Sequence, residues 1–154
     1  MRYGVSGAIF ERSPAYRRGV VIATGLRNGP SAPDLIDRLR EAEAGVRAHV
    51  DPATIADHPV IRPWRDAFRS FGAKPSDFRP SIEALTRRAV RGDELPTVSA
   101  LVDIGTIASL THLLPVGAHA LDDVEHDVEL RYATGAEVFV AFSTTSPNIP
   151  RPER

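Results

Sequence analysis

Apolar positions recur at helical spacing through the middle of the chain and gather in short dense runs toward its two ends. After Pro33 and Asp34, a favourable first turn, Leu35, Leu39, Ala42, Val46 and Val50 lie three or four residues apart. They predict an amphipathic helix that lays one face on a sheet and ends at Asp51-Pro52. Ile61, Trp64, Phe68 and Phe71 predict a second helix, stopped by Gly72, whose aromatic stripe reads as core. Pro80-Ser81 opens a third, with Ile82, Leu85 and Ala89 inward and Arg87, Arg88 and Arg91 on the other side. From Val98 to Leu114 apolar residues cover nearly the whole circumference, which predicts a fourth helix buried on most sides. Its polar exceptions, Asp103, Thr106 and Ser109, drift around one flank. Such groups either bond within the core or line a pocket.

The ends read as strands. Tyr3 to Phe10 mixes apolar and small residues until Ser13-Pro14, and Gly19 to Ala23 is a β-branched run typical of a buried strand. Gly25 to Pro33 is a loop. Late in the chain, Val128 to Tyr132 alternates, Glu137 to Phe142 is strand-like again, and Gly135 between them marks a hairpin turn. Residues 143–154 are Pro-rich and carry no apolar pattern, so no regular element is expected there. Strands at both ends around a helical block predict an α+β fold, a mixed, largely antiparallel β-sheet with about four helices packed on it.

A length of 154 residues suits one ordinary domain able to bury a core without disulfides or metal. The absence of cysteine excludes disulfides, zinc ribbons, iron–sulfur clusters and a thiol nucleophile. No stretch approaches the ~20 apolar residues of a membrane span, and no secretory signal opens the chain, so a soluble cytoplasmic protein is expected. The net charge of −1 conceals an asymmetry: residues 1–91 sum to +6 and residues 92–154 to −7. A basic face suits an anionic partner such as RNA, because Arg and Lys displace counterions from phosphate. Yet 18 of the 19 cations are Arg, which biased coding also produces, and arginines on a helix surface are usually just solvated.

No nucleophile elbow, phosphate loop or dinucleotide fingerprint is present, so kinase, P-loop and hydride-transfer chemistry have no foothold, and no cofactor is implied. His119, Asp122, Asp123 and His126 are permissible metal ligands, but their spacing matches no common motif. His119 follows the small residues Gly117 and Ala118, which would let a substrate backbone or ribose approach closely.

Three stretches point further. Arg79-Pro-Ser-Ile-Glu-Ala-Leu85, Leu95-Pro96 with Val102-Asp103, and Leu114-Pro-Val-Gly-Ala-His119 with Leu121-Asp122 stand in order. Together they resemble the B3/B4 domain of the bacterial phenylalanyl-tRNA synthetase beta chain, and more closely its free-standing relatives, over about residues 8–142. In the synthetase that domain hydrolyses tyrosine mischarged onto phenylalanine tRNA. The resemblance implies that Ser81 lines an editing pocket, that Pro115 precedes the pocket histidine, and that His119 is that histidine, displaced by the extra Gly117 and Ala118. Thr106 stands where the family has Asn within a Thr-Asn pair, with Gly105 in place of the Thr.

The domain expected is residues 1–142, with the family's C-terminal strands missing and 143–154 as a Pro-rich tail. Missing edge strands would leave backbone groups unpaired, from which homo-oligomerisation is expected. The expected reaction is hydrolysis of an aminoacyl-tRNA ester, which needs a positioned water and a stabilised oxyanion rather than a side-chain nucleophile. His119 would orient or deprotonate water, or hold the ribose, since imidazole titrates near neutral pH. Thr106 and Asp103 would bond the substrate amine or hydroxyl, Ser81 would shape the pocket with Pro115 and Gly117 beside it, and Arg87, Arg88 and Arg91 would meet tRNA phosphates. The alternatives are an RNA-binding module without chemistry, a metal-dependent hydrolase on His119, Asp122 and His126, and an inert remnant.

Overall fold

The computed structural model describes residues 1–122 and 124–140, together with the backbone of 147–148. The chain divides into two compact units, Thr24–His119 and Met1–Ala23 with Ala120–Arg154.

The first of these is helical. Helices α2 (Pro33–His49), α3 (Arg62–Ser70), α4 (Ser81–Arg91) and α5 (Ala100–His112) fall where the periodicity places them. Glycine supplies two of the stops. Gly72 and Gly92 take φ of 76° and 89° after α3 and α4. At each, the next amide reaches back to the helix: Ala73 N–H to the Phe68 carbonyl and Asp93 N–H to the Arg88 carbonyl. The predicted inner faces are the observed ones. Leu39, Val46 and Val50 of the first periodic run are buried with Ile61, Ile82, Ala89, Leu95 and Leu110, and Ile55 joins them from a single 3-10 turn. Trp64 packs on this core, whereas Phe71 at the end of the aromatic stripe is exposed, so the stripe is core only in part.

Within this unit α2 packs on α4 and α5, and α4 packs on α5. One expectation fails here: α5 is not buried all round. Leu101, Val102 and Ile104 are exposed, while Asp103, Ser109 and Leu110 are buried.

The other unit holds the strands, and they are short. Tyr3 to Phe10 is not one strand but β1 (Tyr3–Val5) followed by α1 (Gly7–Arg12), which buries Ile9. β1 pairs in parallel with β2 (Val128–Leu130), Tyr3 opposite Val128 and Val5 opposite Leu130. β3 (Phe139–Val140) pairs antiparallel with β4 (Pro147–Asn148), so two residues of the expected tail do join a strand pair. The largely antiparallel sheet is thus corrected to two separate strand pairs, one of them parallel. The class remains a mixture of helix and strand.

The predicted hairpin at Gly135 is absent, since β2 is taken by β1 and β3 by β4. Gly135 does turn the chain, at φ 90°. The turn is closed by a side chain: the Glu137 carboxylate accepts from the amides of Thr134 and Gly135 and from Arg131 at 2.6 Å. The run Gly19 to Ala23 is not a buried strand either; Val21 is 92% exposed. β-Branched residues favour extended backbone, but a strand also needs a partner, and among the described residues none pairs with this run. Residues 141–146 and 149–154, which include the end of the predicted second late strand and most of the expected tail, lie outside the described residues.

Candidate functional site

The beginning of α5 is held by a loop. Ala100 N–H donates to the Gly29 carbonyl, and Leu101 N–H to Asn28 Oδ1. Asn28 Nδ2 in turn donates to Ser99 Oγ. These contacts satisfy amides that a helix N-terminus otherwise leaves open. Asp103, one turn in, is 1% exposed and has both oxygens engaged: Oδ1 accepts from Val98 N–H and Oδ2 from the Ser31 hydroxyl. The Asn-Gly-Pro-Ser stretch is legible as a loop, but its partner is not.

The far end of α5 makes the reversal that matters most for the site. Leu113 sits in the left-handed region at φ 52°, the sole non-glycine residue to do so among the described ones. The chain then runs back along the helix. Leu114 N–H donates to the Ser109 carbonyl, and the Ser109 hydroxyl donates to the Leu114 carbonyl. Two residues on, Val116 has reached the level of Gly105, its Cγ1 3.4 Å from where a Cβ on Gly105 would stand. A methyl group at 105 would thus meet Val116 at ordinary van der Waals distance. Folding back in this way lays Pro115 and Val116 beside the turn of α5 that carries Gly105 and Thr106, and Gly117 and His119 follow.

The other expected site residues are spread more widely. Thr106 is half-buried and its Oγ1 donates to the Val102 carbonyl, which leaves the oxygen free to accept. His119 is exposed and has no hydrogen-bond partner among the described residues. Ser81 is exposed at the first residue of α4 and makes no hydrogen bond to these groups. Of the three arginines, Arg87 is committed to the fully buried Glu83 at 2.9 Å, which also binds Arg65 at 2.7 Å, and Arg91 pairs with Asp93. Arg88 has no carboxylate partner among the described residues. Arg47 of α2, absent from the sequence-based set, reaches the same end of α4 and donates to the Ala89 carbonyl.

The acidic connection forms no metal centre among the described residues: no three His, Asp or Glu side chains are grouped to hold an ion. Asp123 lies outside those residues. His126 borders a hollow with Met1, Glu125, Asp127 and Glu129. No described helix is long and apolar enough to cross a membrane.

A family model described as B3/4 domain matches residues 63–153, more than half of the chain and all three stretches that carry the resemblance. Among curated proteins and among solved structures, nothing matches.

Proposed function

The chain belongs to the B3/4 domain family, and from that premise we propose that it is a trans-editing deacylase that hydrolyses the ester of a mischarged aminoacyl-tRNA. Membership makes it a module related to tRNA synthetases. The observation that carries the finer reading is the fold-back of residues 114–116 along α5, which puts the segment leading to His119 beside Gly105 and Thr106.

An aminoacyl ester is activated by the neighbouring ribose hydroxyl, so the site has to place a water and stabilise the developing oxyanion. His119 orients or deprotonates that water, or holds the ribose. Thr106, whose proton is committed to the Val102 carbonyl, offers its oxygen to the substrate amine. Ser81, Pro115 and Gly117 shape the approach of the amino acid. Asp103 serves this site through the loop it holds, because both its oxygens already have partners. Arg88, with Arg47 near it, suits tRNA phosphates better than Arg87 and Arg91, which pair with carboxylates.

Deacylation of a panel of mischarged tRNAs, tyrosine on phenylalanine tRNA included, tests the reading. His119→Ala lowers the rate by roughly tenfold or more if the imidazole is catalytic; an unchanged rate removes it from the mechanism. One observation favours the alternative, an RNA-binding module without chemistry. No described residue fixes the tautomer or direction of the His119 ring, as the orienting partner of a general base usually does. Binding that weakens steeply with salt, with no ester cleaved, identifies that alternative.

A further inference from the structure

We propose that Ser109 is the positioning residue of this site: its hydroxyl, directed forward to the Leu114 carbonyl, holds residues 114–116, and through them the approach to His119, along α5 against the strained turn at Leu113. The inference rests on the editing reading for its functional consequence and on geometry alone for the clamp.

Inside a helix, a serine hydroxyl ordinarily bonds backward to the carbonyl four residues earlier. Ser109 does the opposite. Its Oγ reaches the carbonyl five residues later, and its own carbonyl accepts the Leu114 amide, so this single residue holds both backbone groups of Leu114. The serine is buried, and among the described residues its hydroxyl has this one partner. Opposing it is Leu113, whose positive φ costs a non-glycine residue about 1 kcal/mol. Leu113 stays in that conformation because it packs on the core and because the next residue is tied down.

The clamp sets the level at which the returning chain lies on the helix. Leu114 meets Ser109 and Val116 meets Gly105, one turn nearer the helix start. His119 follows three residues after Val116. Beyond Val116, residues 117–119 are exposed. Without the Ser109 bond, the Leu114 amide and the Val116 contact are what the described residues offer to keep the segment in register. A shift of that segment moves His119 relative to Thr106, and displacement of a reacting group by about 1 Å can cost up to ~100-fold in rate.

Two variants separate this role from a merely structural one. Ser109→Ala removes the hydroxyl and lowers the melting temperature slightly. Gly105→Leu places a bulky side chain where Val116 lies, but it also replaces glycine inside a helix by a strong helix former, so the melting temperature holds or rises. Exchange of the Leu114 amide, the one backbone N–H of residues 114–119 that donates to a described backbone group, should increase about fivefold or more in both when read by NMR, with α2 and α4 unchanged. Deacylation kcat should fall about tenfold in both, with KM unchanged, although only Ser109→Ala loses stability.

Leu114 amide exchange that stays at the wild-type level in Ser109→Ala overturns the clamp whatever the activity. Activity that follows melting temperature across the two variants overturns the positioning role. A wild-type protein that cleaves no ester overturns the editing reading, and hydrogen exchange then decides the clamp by itself.

Discussion

Thr86 lies in the middle of α4, fully buried, and its hydroxyl has no hydrogen-bond partner among the described residues. A buried hydroxyl without a partner forfeits its hydration, roughly 1–3 kcal/mol, whereas a methyl of the same shape loses nothing. Thr86→Val should therefore raise the stability of the protein by about 1 kcal/mol, read as a shift of the urea midpoint without change of slope. A lower midpoint would mean that the hydroxyl has a partner, a buried water for example. At this scale the sequence was informative about apolar residues and poor on polar ones. Leu39, Val46, Ile82 and Ala89 are buried as their spacing requires, because burial follows helical geometry. Asp103 and Ser109 were visible only as exceptions on an apolar helix. Their partners, Ser31 and Leu114, come from chain reversals that periodicity does not encode.

Helices and strands differ in how far a local pattern specifies them. The helices α2 to α5 contain their own hydrogen bonds, so spacing and stop signals locate them. A strand depends on a distant partner. Val128–Leu130 looked like half of a local hairpin, yet it pairs with Tyr3–Val5 from the other end of the chain. Gly19–Ala23 has strand composition and no partner among the described residues. Between helices, the strongest polar tie is Glu83 of α4, which is fully buried and binds Arg65 of α3 and Arg87. Glu83→Gln leaves two guanidinium groups facing a neutral amide. Because both arginines retain some access to water, the loss should lie at or below the lower end of the range for a broken buried pair, about 2–3 kcal/mol. A urea midpoint equal to the wild type would show that α3 and α4 hold together without this tie.

The turn at 131–137 carries a pH dependence of its own. The amide of Thr134 is the main cause that pulls the Glu137 carboxyl down from 4.5 to about 2, and the Arg131 guanidinium adds to it. A carboxyl with a lowered folded pKa stabilises the turn above about pH 4.5, and that contribution is lost as pH falls toward 2. Exchange of the Thr134 and Gly135 amides should accordingly rise between pH 4.5 and 2, beyond its intrinsic pH dependence, and Glu137→Gln should abolish the excess. A wild type and variant with parallel profiles would remove Glu137 from the turn.

For the whole molecule, charge along the sequence was a coarser guide than charge in space. The early excess of arginine suggested a basic face, but Arg40, Arg62, Arg65, Arg69, Arg87 and Arg91 all pair with carboxylates. What remains for an anionic partner at the end of α4 is Arg88 with Arg47. The site was legible in part, since the three family-like stretches are local in sequence. Its assembly was not, because it depends on the left-handed turn at Leu113 and on the return of the chain past Ser109 to Gly105. The central claim is that residues 114–119, of which Val116 lies beside Gly105, form the working edge of an editing site. Single-turnover deacylation of tyrosine-charged phenylalanine tRNA and a panel of other mischarged tRNAs tests it most directly. Wild-type protein should cleave at least one ester above the buffer rate, and His119→Ala should lose about tenfold or more. Folded wild-type protein that binds the tRNAs and leaves every ester intact would contradict the account.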